Sequence, residues 1–145
     1  MRKKIVLLDL NSTLAVKSSY DWRTFTYDVS ADEYSKELIE KLKSEGHEVW
    51  ILTARTTEYE KDTLEKLMKD TGYAPDKCFF KGHGGKQERK LPAHIYKRLF
   101  VEELLKSGEY KTSDFIAVES NFKTHKQYRE LGLTEIYKRD QYLKL

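Results

Sequence analysis

The sequence predicts an α/β protein: a Rossmann-like, doubly wound parallel sheet of about five strands with a small cap or flap inserted after the first strand. Three observations carry this. Short apolar runs alternate with helical stretches along the chain, the pattern of strand–helix–strand units. The runs are apolar residue after residue, as strands covered on both faces are. Three of them end in polar residues, Asp9, Thr53 and Glu119, at the carboxyl edge where open parallel sheets bind ligands.

The first strand is Ile5 to Leu8, and Asp9 ends it. Asn11, Ser12 and Thr13 follow as turn-forming polar groups able to hold a phosphate or a metal. Residues 15–30 are polar and aromatic without a clear period. Their aromatics, Tyr20, Trp22, Phe25 and Tyr27, suit two roles: stacking on a base, or packing as a short hairpin on the body. A helix is expected over Asp32 to Ser44, where Tyr34, Leu38, Ile39 and Leu42 make an apolar stripe. Ser30 or Asp32 can cap it, with Ser30 and Glu33 as a capping box, and Gly46 stops it. Glu48 to Thr53 is the next strand. A helix from Thr57 to Lys69 turns Tyr59, Leu64, Leu67 and Met68 inward, and Pro75-Asp76 makes a turn.

Cys78 to Phe80 is the third strand. The loop Lys81-Gly82-His83-Gly84-Gly85-Lys86 is flexible by composition and lacks the strand-to-helix setting of a nucleotide loop. Pro92 suits the first turn of a helix running to Ser107, with Ile95, Leu99, Phe100, Leu104 and Leu105 apolar. Asp114 to Val118 is the fourth strand. A helix over Thr124 to Leu131 and a strand at Glu135 to Tyr137 close the series.

At 145 residues the chain, 1–145, reads as one domain. Charged residues make up 35% and the mean hydropathy is −0.75, with no apolar run of membrane-spanning length. The basic start followed by Ile5 resembles a signal peptide, but Asp9 interrupts the apolar run too early. The single Cys78 allows no internal disulfide and fits a reducing, cytoplasmic setting. Net charge is only +3, although basic residues gather between Lys77 and Arg98, a stretch able to steer an anion or to sit as a solvated face. His83, His94 and His125 lack zinc-ligand spacing, and His47 lies in a turn.

The stretch Asp9-Leu10-Asn11-Ser12-Thr13-Leu14 resembles the first motif of the haloacid dehalogenase (HAD) superfamily, Asp-x-Asp-x-Thr-Leu after an apolar strand. Ile51-Leu52-Thr53-Ala54-Arg55 resembles the second motif, in the Thr-x-Arg form of polynucleotide 3'-phosphatases. Lys97 fits the third, with Lys86 and Lys90 as rivals. Glu119-Ser120 stands where the fourth motif has an acidic pair. Within the superfamily the chain most resembles the phosphatase domain of phage-type polynucleotide kinase-phosphatases, at Tyr27-Asp28-Val29, Ile95 to Phe100 and Asp140-Gln141-Tyr142.

The resemblance implies a phosphatase acting through an aspartyl-phosphate on Asp9, with Asn11, Thr53 and Lys97 as the other catalytic positions. It implies Thr13, Arg55, Lys86 and Arg98 as candidates for holding substrate. It also implies Mg²⁺ held by Asp9, the residue 11 carbonyl, Glu119 and Ser120. The substrate would be a phosphorylated small molecule or a nucleic acid end. Two departures bear on turnover: Asn11 and Ser120 stand where the family has acids. An amide cannot exchange a proton usefully near neutral pH. A degenerate member that binds a phosphorylated ligand without turnover is therefore the alternative, and an interaction protein using Lys77 to Arg98 is a third reading.

Overall fold

The computed structural model describes residues 2–145. Its centre is a five-stranded parallel sheet of β1 (Ile5–Leu8), β4 (Glu48–Thr56), β5 (Lys77–Lys81), β6 (Phe115–Val118) and β7 (Ile136–Tyr137), in the order β5-β4-β1-β6-β7. A separate antiparallel hairpin, β2 (Ala15–Asp21) and β3 (Thr26–Tyr34), follows β1. The helices are α1 (Lys36–Glu45), α2 (Glu60–Thr71), α3 (Ala93–Lys106), α4 (Phe122–Leu131) and α5 (Arg139–Leu143).

The period of two along a strand divides β1 between two cores. Val6 and Leu8 pack with Leu38, Ile39 and Leu42 of α1, Leu67 of α2 and Tyr142 of α5. Ile5 and Leu7 pack with Trp50, Val101 of α3 and Tyr128 of α4. The sheet is thus covered on both faces. Its growth reverses after β5: the chain returns under α3 to lay β6 on the other side of β1. With right-handed crossovers this reversal puts α3 and α4 on the face opposite α1 and α2. Asp9 follows the strand at which the order reverses, which is where such sheets open a crevice.

The described residues refine several sequence expectations. The flap is a hairpin, and its second strand extends to Tyr34, so α1 begins later than its apolar stripe suggests. Ser35 caps it by accepting from the Leu38 N–H at 3.2 Å, and neither Ser30 nor Asp32 does so. Tyr34 and Asp32 are instead the inward-facing positions of β3. Gly46 closes α1 at φ +67, as a left-handed stop requires.

A 3₁₀ turn at Thr57–Tyr59 precedes α2, whose buried residues are Thr63 and Leu67, while Met68 lies half in solvent. On α3 the buried face is Tyr96, Lys97 and Val101, and Leu99 is exposed. The short α5 has no counterpart among the sequence expectations; Tyr142 anchors it in the core. Among the described residues no helix is long and apolar enough to cross a membrane.

Candidate active site

Register brings the site together. Leu8 of β1 lies beside Ile51 of β4 and Val118 of β6. Asp9 and Glu119 therefore leave adjacent strands at the same level, and the Asp9 N–H donates to the Val118 carbonyl at 2.9 Å. The chain then turns sharply. Ser12 takes φ +64, a left-handed conformation that costs an L residue about 1–2 kcal/mol. The turn brings Thr13 back beneath Asp9, where its hydroxyl donates to Asp9 Oδ2 at 2.9 Å. Arg139, from α5, donates to the Thr13 carbonyl at 3.2 Å and braces the turn from outside.

Lys97 enters from α3. Its Nζ lies 2.8 Å from Asp9 Oδ1 and 2.6 Å from Glu119 Oε1, so one ammonium serves both carboxylates. All three residues are buried. Burial alone would raise the pKa of Asp9, but the Lys97 charge and hydrogen bonds from Glu119, Lys97 and Ser120 outweigh it and hold the carboxyl below its usual range. Glu119 goes the other way. Burial, with the neighbouring Asp9 charge, pushes it up to about 8 despite Lys97. Burial disfavours the Lys97 charge, and the two carboxylates more than restore it. Lys97 thus favours the charged form of Asp9, while burial disfavours that of Glu119.

Ser120 completes the anionic end. Its Oγ lies 2.8 Å from Asp9 Oδ2 and 3.2 Å from the Asn11 carbonyl. Glu119 Oε2 accepts from the Asn121 N–H at 3.1 Å, and the ring of His125 meets the Glu119 carbonyl at 2.6 Å. A carboxylate, a main-chain carbonyl and a hydroxyl thus converge on one point, with a second carboxylate one residue away. These are hard oxygen donors, and Mg²⁺ characteristically takes one or two carboxylates and keeps waters for its other positions. The donor set fits that ion. Among the described residues no group of three or more His, Cys, Asp or Glu side chains is placed to hold a metal ion, so the set rests on main-chain and hydroxyl oxygens beside the carboxylates.

The Arg55 side chain is wholly buried. Asp32 of β3 binds it at 2.7 and 3.2 Å, Thr63 of α2 accepts at 3.1 Å, and Asn11 Oδ1 accepts at 2.6 Å. Its guanidinium also lies 4.7 Å from the centre of the Tyr27 ring. Arg55 therefore fastens the flap and α2 to residue 11 rather than reaching an open phosphate pocket. Thr53, one strand over from Asp9, is buried and accepts from the Arg55 N–H at 3.0 Å, leaving its own hydroxyl proton uncommitted in that bond.

Two expected substrate residues lie elsewhere. Arg98 faces Gln127, Glu102 and Glu130 between α3 and α4. Lys86 is exposed on the turn loop after β5. That loop's glycine N–H groups are already used: Glu88 Oε1 accepts from Gly82 at 2.7 Å and Gly84 at 3.3 Å. The basic stretch is likewise divided, with Lys97 interior and Arg89 bound to Glu58. The sequence does not point to Asp32 or His125 for the site, and it offers Tyr27 only for base stacking or hairpin packing. The one sequence signal for Asp32 was its alternation with Tyr34 in a strand.

No protein-family model matches the chain, and no curated protein matches it in sequence. Solved structures do resemble it. A protein from Legionella pneumophila described as a "putative HAD superfamily (subfamily III A) hydrolase" aligns with a TM-score of 0.50 at 12% identity, over 86% of this chain and 59% of that one. A hypothetical protein from Xanthomonas campestris aligns with a TM-score of 0.49 at 16% identity, over 86% of this chain and 58% of that one. The chain thus spans less than two thirds of the length of either. At such identity the likeness concerns architecture alone, a Rossmann-like parallel sheet covered by helices on both faces.

Proposed function

We propose that this chain is a Mg²⁺-dependent phosphatase of the HAD type, acting through an aspartyl-phosphate on Asp9. The observation that carries the proposal is the shared ammonium: Lys97 bonds Asp9 at 2.8 Å and Glu119 at 2.6 Å at once. A carboxylate at a switch-point strand end, oriented by Lys97, Thr13 and Ser120, supports reading Asp9 as the nucleophile.

Asp9 attacks phosphorus. The bond from phosphorus to the leaving oxygen breaks, and its electron pair departs with that oxygen. Water then attacks the acyl phosphate at phosphorus, restoring the Asp9 carboxylate and freeing phosphate. Lys97 and the Thr53 hydroxyl stabilise charge on the phosphoryl oxygens. Asp9, the Asn11 carbonyl, Ser120 and Glu119 would hold Mg²⁺, which supplies positive charge to the phosphoryl group when bound. The nearer substrate proposal, a nucleotide or a polynucleotide 3'-phosphate, is supported by the motif resemblance and by the aromatic flap.

A second reading is a binding module with little turnover. It is favoured by the amide at residue 11 and the hydroxyl at residue 120, each in place of an acid. Phosphate release from p-nitrophenyl phosphate, a nucleotide and a 3'-phosphorylated oligonucleotide, with Mg²⁺, separates the two. The phosphatase releases phosphate from at least one, and Asp9→Asn abolishes it. Absence of release from all three, with retained binding, supports the module.

A further inference from the structure

Residue 11 is an amide and cannot protonate a leaving alkoxide, so the site needs another donor. Its neighbour is Tyr27. Arg55 donates to Asn11 Oδ1 at 2.6 Å, which fixes the orientation of the amide. The amide nitrogen then faces Tyr27 and donates to its hydroxyl oxygen at 3.0 Å. In that bond the phenol oxygen accepts, so its own O–H proton remains free to be given.

We propose that the Tyr27 hydroxyl donates a proton to the leaving oxygen, in place of residue 11. The inference rests on the phosphatase reading above. The ring cannot wander. Tyr20 packs on it with centroids 4.6 Å apart, and Tyr59 meets it edge-on at 5.3 Å. Arg55 lies over the ring face, 4.7 Å from its centre. Burial holds the Tyr27 hydroxyl above the ordinary phenol range and keeps its proton on at neutral pH, while the Arg55 charge and the Asn11 hydrogen bond act the other way and would support a phenolate.

The step balances. As Asp9 bonds to phosphorus, the electron pair of the breaking phosphorus–oxygen bond goes to the leaving oxygen, which takes the Tyr27 proton. The second half returns it: water attacks the aspartyl-phosphate, and the proton it loses goes to the phenolate. Transfer to an alkoxide is downhill because an alcohol is ordinarily a weaker acid than a phenol, by a margin that burial of Tyr27 narrows. The flap thereby becomes part of the chemistry, since β3 carries both Tyr27 and the Asp32 that holds Arg55.

The test is leaving-group dependence in the native chain, Tyr27→Phe and Asp9→Asn, with p-nitrophenyl phosphate and glycerol 2-phosphate. Nitrophenolate leaves without a proton; the glycerol alkoxide needs one. Tyr27→Phe keeps the ring and its packing. It is expected to lose about 10²-fold or more on the alkyl ester, within the range of general acid catalysis, while the aryl ester changes little. Equal loss on both esters, or no loss on the alkyl ester, overturns the assignment. If the native chain shows no Asp9-dependent release from either ester, the phosphatase reading itself fails and this inference falls with it, a result distinct from a flat Tyr27→Phe response.

Discussion

Asp32 binds Arg55 through two hydrogen bonds, at 2.7 and 3.2 Å, where neither side chain meets solvent. The pair joins the flap to the second sheet strand and, through Asn11, to the turn after Asp9. A buried ion pair contributes little beyond what apolar residues would, yet removing one partner strands the other. Asp32→Ala is therefore expected to cost about 3–5 kcal/mol in urea unfolding. Arg55→Ala costs a similar amount, and the double variant less than their sum. Additive losses would contradict a direct pair.

Lys97, and neither Lys86 nor Arg98, balances the Asp9 charge. Lys97→Met is expected to lower phosphate release by about 10²-fold or more, in line with removing one electrostatic stabiliser from a site. Lys86→Ala and Arg98→Ala should leave the rate roughly unchanged. Steady-state kinetics on a nitrophenyl ester decides this, and a large loss at Lys86 with none at Lys97 would reverse the assignment.

Asn11→Asp is not expected to supply the missing acid. The Arg55 guanidinium sits 2.6 Å from the atom that would become a carboxylate oxygen. An opposite charge that close typically lowers a carboxyl pKa by about 1–3 units, so the new group stays ionised at neutral pH. It would also accept the Tyr27 proton that the leaving oxygen requires. The ratio of alkyl to aryl ester turnover should fall or stay level. A rise of about 10²-fold would show that residue 11 itself is the donor position.

Ser35, not Ser30, caps α1. Ser35→Ala should cost about 1 kcal/mol of stability and Ser30→Ala almost none on that account. Denaturant midpoints for the two variants check the helix boundary.

Much of this architecture was legible in the sequence because the continuous apolar runs of β1, β4 and β6 have few alternatives at their length. The positions of Asp9 and Glu119 at strand ends followed from them, whereas β4 runs on to Thr56 and leaves Thr53 within it. The boundary of α1 did not, because Tyr34 fits the helical spacing with Leu38 as well as it fits the end of a strand. A motif suggests Arg55 as a phosphate ligand, and the Asp32 that binds it comes from a segment whose spacing suggests a helix start. Lys97 on a buried helix face looks unfavourable until two carboxylates from distant strands are brought to it. That is a tertiary fact no local pattern holds. Tyr27 is one aromatic among several in a stretch without period, and the orientation of the Asn11 amide is what ties its hydroxyl to the site.

The central claim is that Asp9 becomes esterified. The most direct measurement is acid quenching of the chain during turnover of p-nitrophenyl phosphate with Mg²⁺, followed by peptide mass mapping. One phosphoryl group on the peptide containing Asp9, released by hydroxylamine and absent in Asp9→Asn, is the result the account predicts. Phosphate release that continues in Asp9→Asn, or a phosphoryl group found on another residue, would contradict it.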